Sequence, residues 1–133
     1  VVLKLFEHYD TSSTPPTPVL IITIVNPVNN VQTKIRAYID TGFSETLLLP
    51  EEYYEKLYLM LTEVDEDYYV IHGGIFPARL KTAIVYIELN GFKKLIKAYI
   101  HPYLKKPLLG RSILNKFYLY LKGPEKTMEI EIP

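Results

Sequence analysis

The sequence predicts an all-β domain with one or two short helices, and three observations carry that prediction. Residues 19–26, 31–39 and 93–100 are runs of strand length rich in β-branched or aromatic residues, types that fit a pleated, half-buried surface. Clusters of Gly, Pro and Asn separate such runs, and Asn90-Gly91 is the strongest short hairpin signal in the chain. Helical spacing of apolar residues occurs once at any length, over residues 50–61.

In chain order, residues 1–9 read as a strand in which Val, Leu and Phe interleave with Lys and Glu. Residues 10–18 are a polar connector whose prolines exclude helix and central strand. Residues 19–26 and 31–39 form a hairpin about Pro27-Val28-Asn29-Asn30. Its second arm ends at Asp40-Thr41-Gly42, where glycine lets the backbone turn without a Cβ clash. Leu47, Leu48 and Leu49 make a short buried strand. Pro50 then opens a helix, with Glu51 and Glu52 in the first turn favoured by the helix dipole. Tyr54, Leu57, Tyr58 and Leu61 form one apolar stripe on it, facing the core. Residues 63–67 are an acidic loop, and residues 68–71 and 75–85 are two arms folded about His72-Gly73-Gly74. Residues 83–89 and 93–100 are strands joined at Asn90-Gly91. Pro107-Leu108-Leu109-Gly110 is a short apolar strand, and Ser112 caps a helical turn over 113–116. Residues 117–121 and 127–132 close the chain as a last hairpin.

At 133 residues the chain fits one domain, 1–133, in which 1–18 supply the N-terminal strand and the Pro-rich connector. Lys and Arg number 15 and so do Asp and Glu, so the net field draws in neither nucleic acid nor an anionic membrane. The pairs Lys93-Lys94 and Lys105-Lys106 read as solvated faces. The 12 tyrosines scatter without a flanking basic groove, which favours packing over base stacking. Charges interrupt every apolar run short of membrane-spanning length, and residues 1–8 lack the pattern of a signal peptide. Cysteine is absent, which removes disulfides, a thiol nucleophile and a Cys-based zinc site and fits a cytoplasmic setting. His8, His72 and His101 lack metal-ligand spacing, so no metal or other cofactor is expected.

Four aspartates occur. Asp10 lies in the connector, and Asp65 and Asp67 in the acidic loop, all three expected at solvated surface. Asp40 sits between a strand and a leucine-rich segment, where a carboxylate is costly without compensation. The plain reading of that position is a turn Asp that accepts backbone N–H groups.

The segment from Ala37 to Glu52, centred on Asp40-Thr41-Gly42, resembles the catalytic segment of the retropepsin-like aspartic proteases, where a hydrophobic strand delivers Asp-Thr-Gly and a short strand follows. The segment from Pro107 to Leu114 is similar to that family's hydrophobic-hydrophobic-Gly run before a short helix. Together with the Gly-Gly hairpin between them, these marks span residues 19–132. The resemblance implies the acid-protease fold, a closed β barrel with one or two short helices, and aspartic endopeptidase activity on a peptide or protein substrate. That chemistry needs two carboxylates sharing one proton. One chain supplies one Asp-Thr-Gly, so the implied partner is a second copy, with Asp40 of each meeting at a two-fold axis.

By the same resemblance, Thr41 hydrogen-bonds across that axis and the Gly42 backbone contacts bound peptide. Gly73 and Gly74 form the tip of a flap flanked by His72 and Ile75, and Phe43 and Ser44 adjoin the substrate. Gly110 and Arg111 support the catalytic loop, Arg111 turning to Glu45 or to nearby backbone carbonyls. The chain departs from the family in three places: Phe43 replaces a small residue, Ser44 an Asp, and Ser112 an Asp or Asn. A catalytically silent module that keeps the fold for peptide binding or dimerisation is the rival reading. Phe43 feeds it, because a large ring there has the size to fill the cleft.

Overall fold

The computed structural model of the chain describes residues 3–72 and 76–133, apart from the side chains at 66, 67, 69–72, 76 and 77. In order, the elements are β1 (Leu3–His8), β2 (Val19–Val25), β3 (Gln32–Ile39), β4 (Leu47–Pro50), α1 (Glu52–Lys56), a 3-10 turn (Leu59–Thr62), β5 (Glu63–His72), β6 (Phe76–Leu89), β7 (Phe92–His101), β8 (Leu108–Leu109), α2 (Arg111–Leu114), β9 (Tyr118–Lys122) and β10 (Thr127–Ile132). Among the described residues no helix is long and apolar enough to cross a membrane.

The larger sheet runs β2-β3-β8-β4-β7-β6-β5, and β2 also pairs with β6. The pairings therefore close on themselves, from β2 through β3, β8, β4, β7 and β6 back to β2, with β5 attached outside to β6. Two pairings are parallel, β3 with β8 and β4 with β7. Closure satisfies backbone groups that an open sheet would leave at its edges. The smaller sheet, β1-β10-β9, lays Met128 and Ile130 into the main core. Its β9–β10 hairpin is the one expected at the end of the chain.

The leucine run of β4 is buried on both faces, as expected of a strand enclosed between neighbours. Leu47 and Leu49 join the main core with Leu20, Ile22, Ile24, Val85, Ile87, Ala98 and Ile100. Leu48 points the other way, into a smaller cluster with Leu80 and Tyr99 that Phe43, Tyr68, Leu104 and Leu108 cover. The strand β6 serves both clusters, since Leu80 belongs to the smaller and Ala83, Val85 and Ile87 to the larger. At the β6–β7 turn, Asn90 and Gly91 take φ of 45° and 91°, the left-handed backbone that makes Asn-Gly the fitting pair.

Five expectations are corrected here. The helix does not begin at Pro50, which pairs with His101 as the last residue of β4, and α1 ends at Lys56. Tyr58 turns left-handed, and it and Leu61 are 52% and 54% exposed, so the apolar stripe does not exist. Asn26, fully buried, explains the stop: its Nδ2 donates to the carbonyls of Leu57 and Tyr58 at 2.8 and 3.1 Å. Residues 63–67 are strand rather than loop, accommodated by a register shift between Val64 and Tyr68 where β5 meets β6. Ser112 does not cap α2, which starts at Arg111, two residues earlier than expected, after Gly110. Asp10 is not solvated: it is buried, and its backbone bridges Thr17 within the connector.

Candidate active site

Asp40 follows the last residue of β3, and its N–H donates to the carbonyl of Leu109 in β8 at 3.0 Å. The loop from Asp40 to Thr46 lies along residues 109–112. Gly110 N–H donates to Thr46 O at 2.8 Å, Arg111 N–H to Phe43 O at 2.8 Å, and Ser112 N–H to Glu45 O at 3.3 Å. Side chains add to this ladder: Arg111 Nη1 donates to Thr41 O at 2.8 Å and Ser112 Oγ to Ser44 O at 2.8 Å. The Thr46 hydroxyl ties the far end of the loop to Lys97 O on β7.

Gly110 is required by contact. A Cβ there would stand within 3 Å of the Glu45 backbone and of the Phe43 ring, closer than real Cβ contacts come. Gly42 is not left-handed, but a Cβ there would stand 3.2 Å from Asp40 Oδ1, a tight contact that glycine avoids. Its N–H donates to Asp40 Oδ1 at 2.9 Å, the backbone-to-carboxylate bond of an Asx turn. That is the one hydrogen bond to the Asp40 carboxylate among the described residues. Asp40 is half-buried, while Thr41 and Gly42 are exposed.

Phe43 turns its ring onto Tyr99 edge-to-face, with centroids 6.3 Å apart, and Tyr68 packs on Tyr99 in a tilted arrangement at 4.7 Å. The Tyr99 hydroxyl donates to Glu45 Oε2 at 3.1 Å. Burial, and then the Glu45 charge, push the Tyr68 hydroxyl above the usual tyrosine range. Tyr68 and Tyr99 were missed in the sequence, where nothing marked them apart from other strand tyrosines. Arg111 takes the second of its two expected partners, a backbone carbonyl, while Glu45 goes to Tyr99.

The fold thus brings together Asp40, Thr41, Gly42, Phe43, Ser44, Gly110 and Arg111. The expected flap tip at Gly73, Gly74 and Ile75 lies outside the described residues. So does the side chain of His72, whose backbone pairs with Phe76 where β5 and β6 converge.

No family model and no curated protein matches the sequence. Solved structures do match. A retropepsin-like aspartic protease from Rickettsia conorii superposes with a TM-score of 0.65 at 23% identity, covering 99% of this chain and 92% of its own. The retroviral protease-like domain of Ddi1 from Leishmania major gives 0.55 at 15% identity over 88% and 94%. The EIAV protease, solved with an inhibitor, gives 0.53 at 23% identity over 74% and 86%. With its strand circuit, its Asp-Thr-Gly loop and these likenesses, the chain has the retropepsin-like aspartic protease fold.

Proposed function

We propose that the chain is an aspartic endopeptidase that works as a homodimer, with Asp40 of each copy forming the catalytic pair. The observation that carries this reading is the Asp40 loop itself. Its backbone is hydrogen-bonded along residues 109–112, while its carboxylate is left partly open beside the exposed Thr41 and Gly42. A rigid loop presenting an acid is what positioned acid–base chemistry requires.

In the proposed reaction the ionised Asp40 takes a proton from water as the water oxygen bonds to the peptide carbonyl carbon. The other Asp40, protonated, gives its proton to the carbonyl oxygen. When the resulting gem-diol collapses, one hydroxyl proton returns to a carboxylate, the C–N bond breaks, and the nitrogen leaves with a proton from the other. Thr41 of each loop reaches across the two-fold axis, Gly42 meets the peptide backbone, and Gly110 and Arg111 keep the loop in shape. Phe43, Ser44, His72, Gly73, Gly74 and Ile75 are assigned to substrate contact. The rival silent module rested on Phe43 filling the cleft. Its ring packs on Tyr99 and over Gly110, contacts that hold it against its own chain.

Cleavage of a mixed peptide library tests the reading. The wild type should cleave on the acid side of neutrality and lose activity as the shared proton is lost. Asp40→Asn should lower kcat by about a thousandfold or more. Equal cleavage by Asp40→Asn would end the proposal.

A further inference from the structure

Among the described residues, a dense polar cluster away from the Asp40 loop is built on Asp10, which is 7% exposed. Its Oδ1 accepts the Ser12 hydroxyl at 2.6 Å and the Ser12 N–H at 3.0 Å, and its Oδ2 accepts the Tyr38 hydroxyl. The Tyr38 oxygen also accepts from Lys106 Nζ at 2.6 Å and lies 3.0 Å from Ser13 Oγ. Lys106 Nζ stands 4.7 Å from the centroid of the Tyr38 ring. Arg36 Nη1 and Lys106 Nζ are each 3.9 Å from an Asp10 oxygen. The charged and titratable groups facing Asp10 are therefore Arg36 and Tyr38 from β3 and Lys106 from the segment between β7 and β8. Lys106 is thus more than a solvated face.

These partners bracket the catalytic loop. Tyr38 lies two residues before Asp40, and its N–H donates at 2.9 Å to the carbonyl of Pro107, the residue after Lys106. Tyr38 pairs with Leu108 and Ile39 with Leu109, whose carbonyl receives the Asp40 N–H. The connector's exit meets the same strand, since Ile39 N–H donates to Pro18 O at 3.4 Å. The strand that delivers Asp40 and the segment that supports it are thus joined at one carboxylate.

We propose that Asp10 is a positioning residue for Asp40, its carboxylate clasping the end of β3 to residues 106–109 and so fixing where the Asp40 loop begins. This rests on the proposed reading of Asp40 as catalytic. Asp10 touches neither substrate nor reacting atoms. Its hydrogen bonds, from the Ser12 hydroxyl first and Tyr38 next, hold its carboxyl well below the usual carboxylate range. The clasp therefore stays ionised in the folded protein across the acid range where a shared-proton pair of carboxylates works.

The test compares wild type with Asp10→Asn, which keeps the shape and removes the charge, and with Tyr38→Phe, which removes one hydroxyl. Ile130→Val in the distant β10 serves as a control of matched melting temperature. Peptide kinetics and amide exchange are both read. The clasp variants should lower kcat about tenfold with KM within about twofold, and should speed exchange at residues 38–42 relative to residues 32–35. Ile130→Val should do neither. Unchanged kcat, or a fall that Ile130→Val reproduces, overturns the proposal. If the wild type cleaves nothing, the reading of Asp40 fails, and exchange at 38–42 alone decides the clasp: no change there overturns it. If Asp10→Asn does not fold, Tyr38→Phe decides by the same two readouts.

Discussion

A Cβ at Gly110 would lie 2.0 Å from the Glu45 carbonyl oxygen, a backbone atom that a rotamer change cannot move. Gly110→Ala should therefore push the Asp40 loop off residues 109–112 and destabilise the fold by at least about 3 kcal/mol, with loss of cleavage; a denaturant melt beside an activity assay checks both. Asp10 gives a different signature. A carboxyl whose folded value is depressed contributes stability that is complete above its unfolded value, about 3.9, and is lost as pH falls toward the folded one. The stability gap between wild type and Asp10→Asn should thus be flat from about pH 7 to 5 and close below about pH 4. Urea melts across that range measure it.

Among the elements, the truncated helix teaches most. The spacing of Tyr54, Leu57, Tyr58 and Leu61 satisfies a helical stripe, yet the chain leaves the helix after Lys56. The cause is Asn26, which accepts from Val28 N–H at 2.8 Å and donates to Leu57 and Tyr58. One buried amide outweighs a weak local period, as tertiary contacts do for short helices. Asn26→Ala strands those carbonyls without a donor and should cost about 1–3 kcal/mol in a thermal or urea melt. The acidic stretch at 63–67 was misread for a related reason. Glu63 and Asp65 are exposed on an outer strand, which the composition alone does not separate from a loop.

At the scale of the whole molecule, the β-rich class was legible because turn residues punctuate the strand runs and Asn90-Gly91 fixes one hairpin outright. The Asp40 loop was legible because its ingredients are contiguous, and Gly110-Arg111 because a fixed apolar prelude precedes it. Asp10 and Tyr99 were not, since what defines them is Tyr38, Lys106 and Glu45, partners distant in sequence. The proposed half-site per chain also sets an expectation for assembly. Sedimentation at micromolar concentration should find two copies, and dilution into monomers should extinguish cleavage. Cleavage by a monomer through Asp40 would contradict the proposed chemistry.

The two-residue strand β8 joins β3 to β4, so the ring of strands and the Asp40 loop both wait on residues far along the chain. During synthesis, at about 5–20 residues per second, Asp40 leads Gly110 by roughly 4–14 seconds. Throughout that interval the nascent chain carries its acid on a loop with nothing beneath it, and the ring has no closing strand. The order of translation therefore delays the ordering of the Asp40 loop until residues 108–112 have been made.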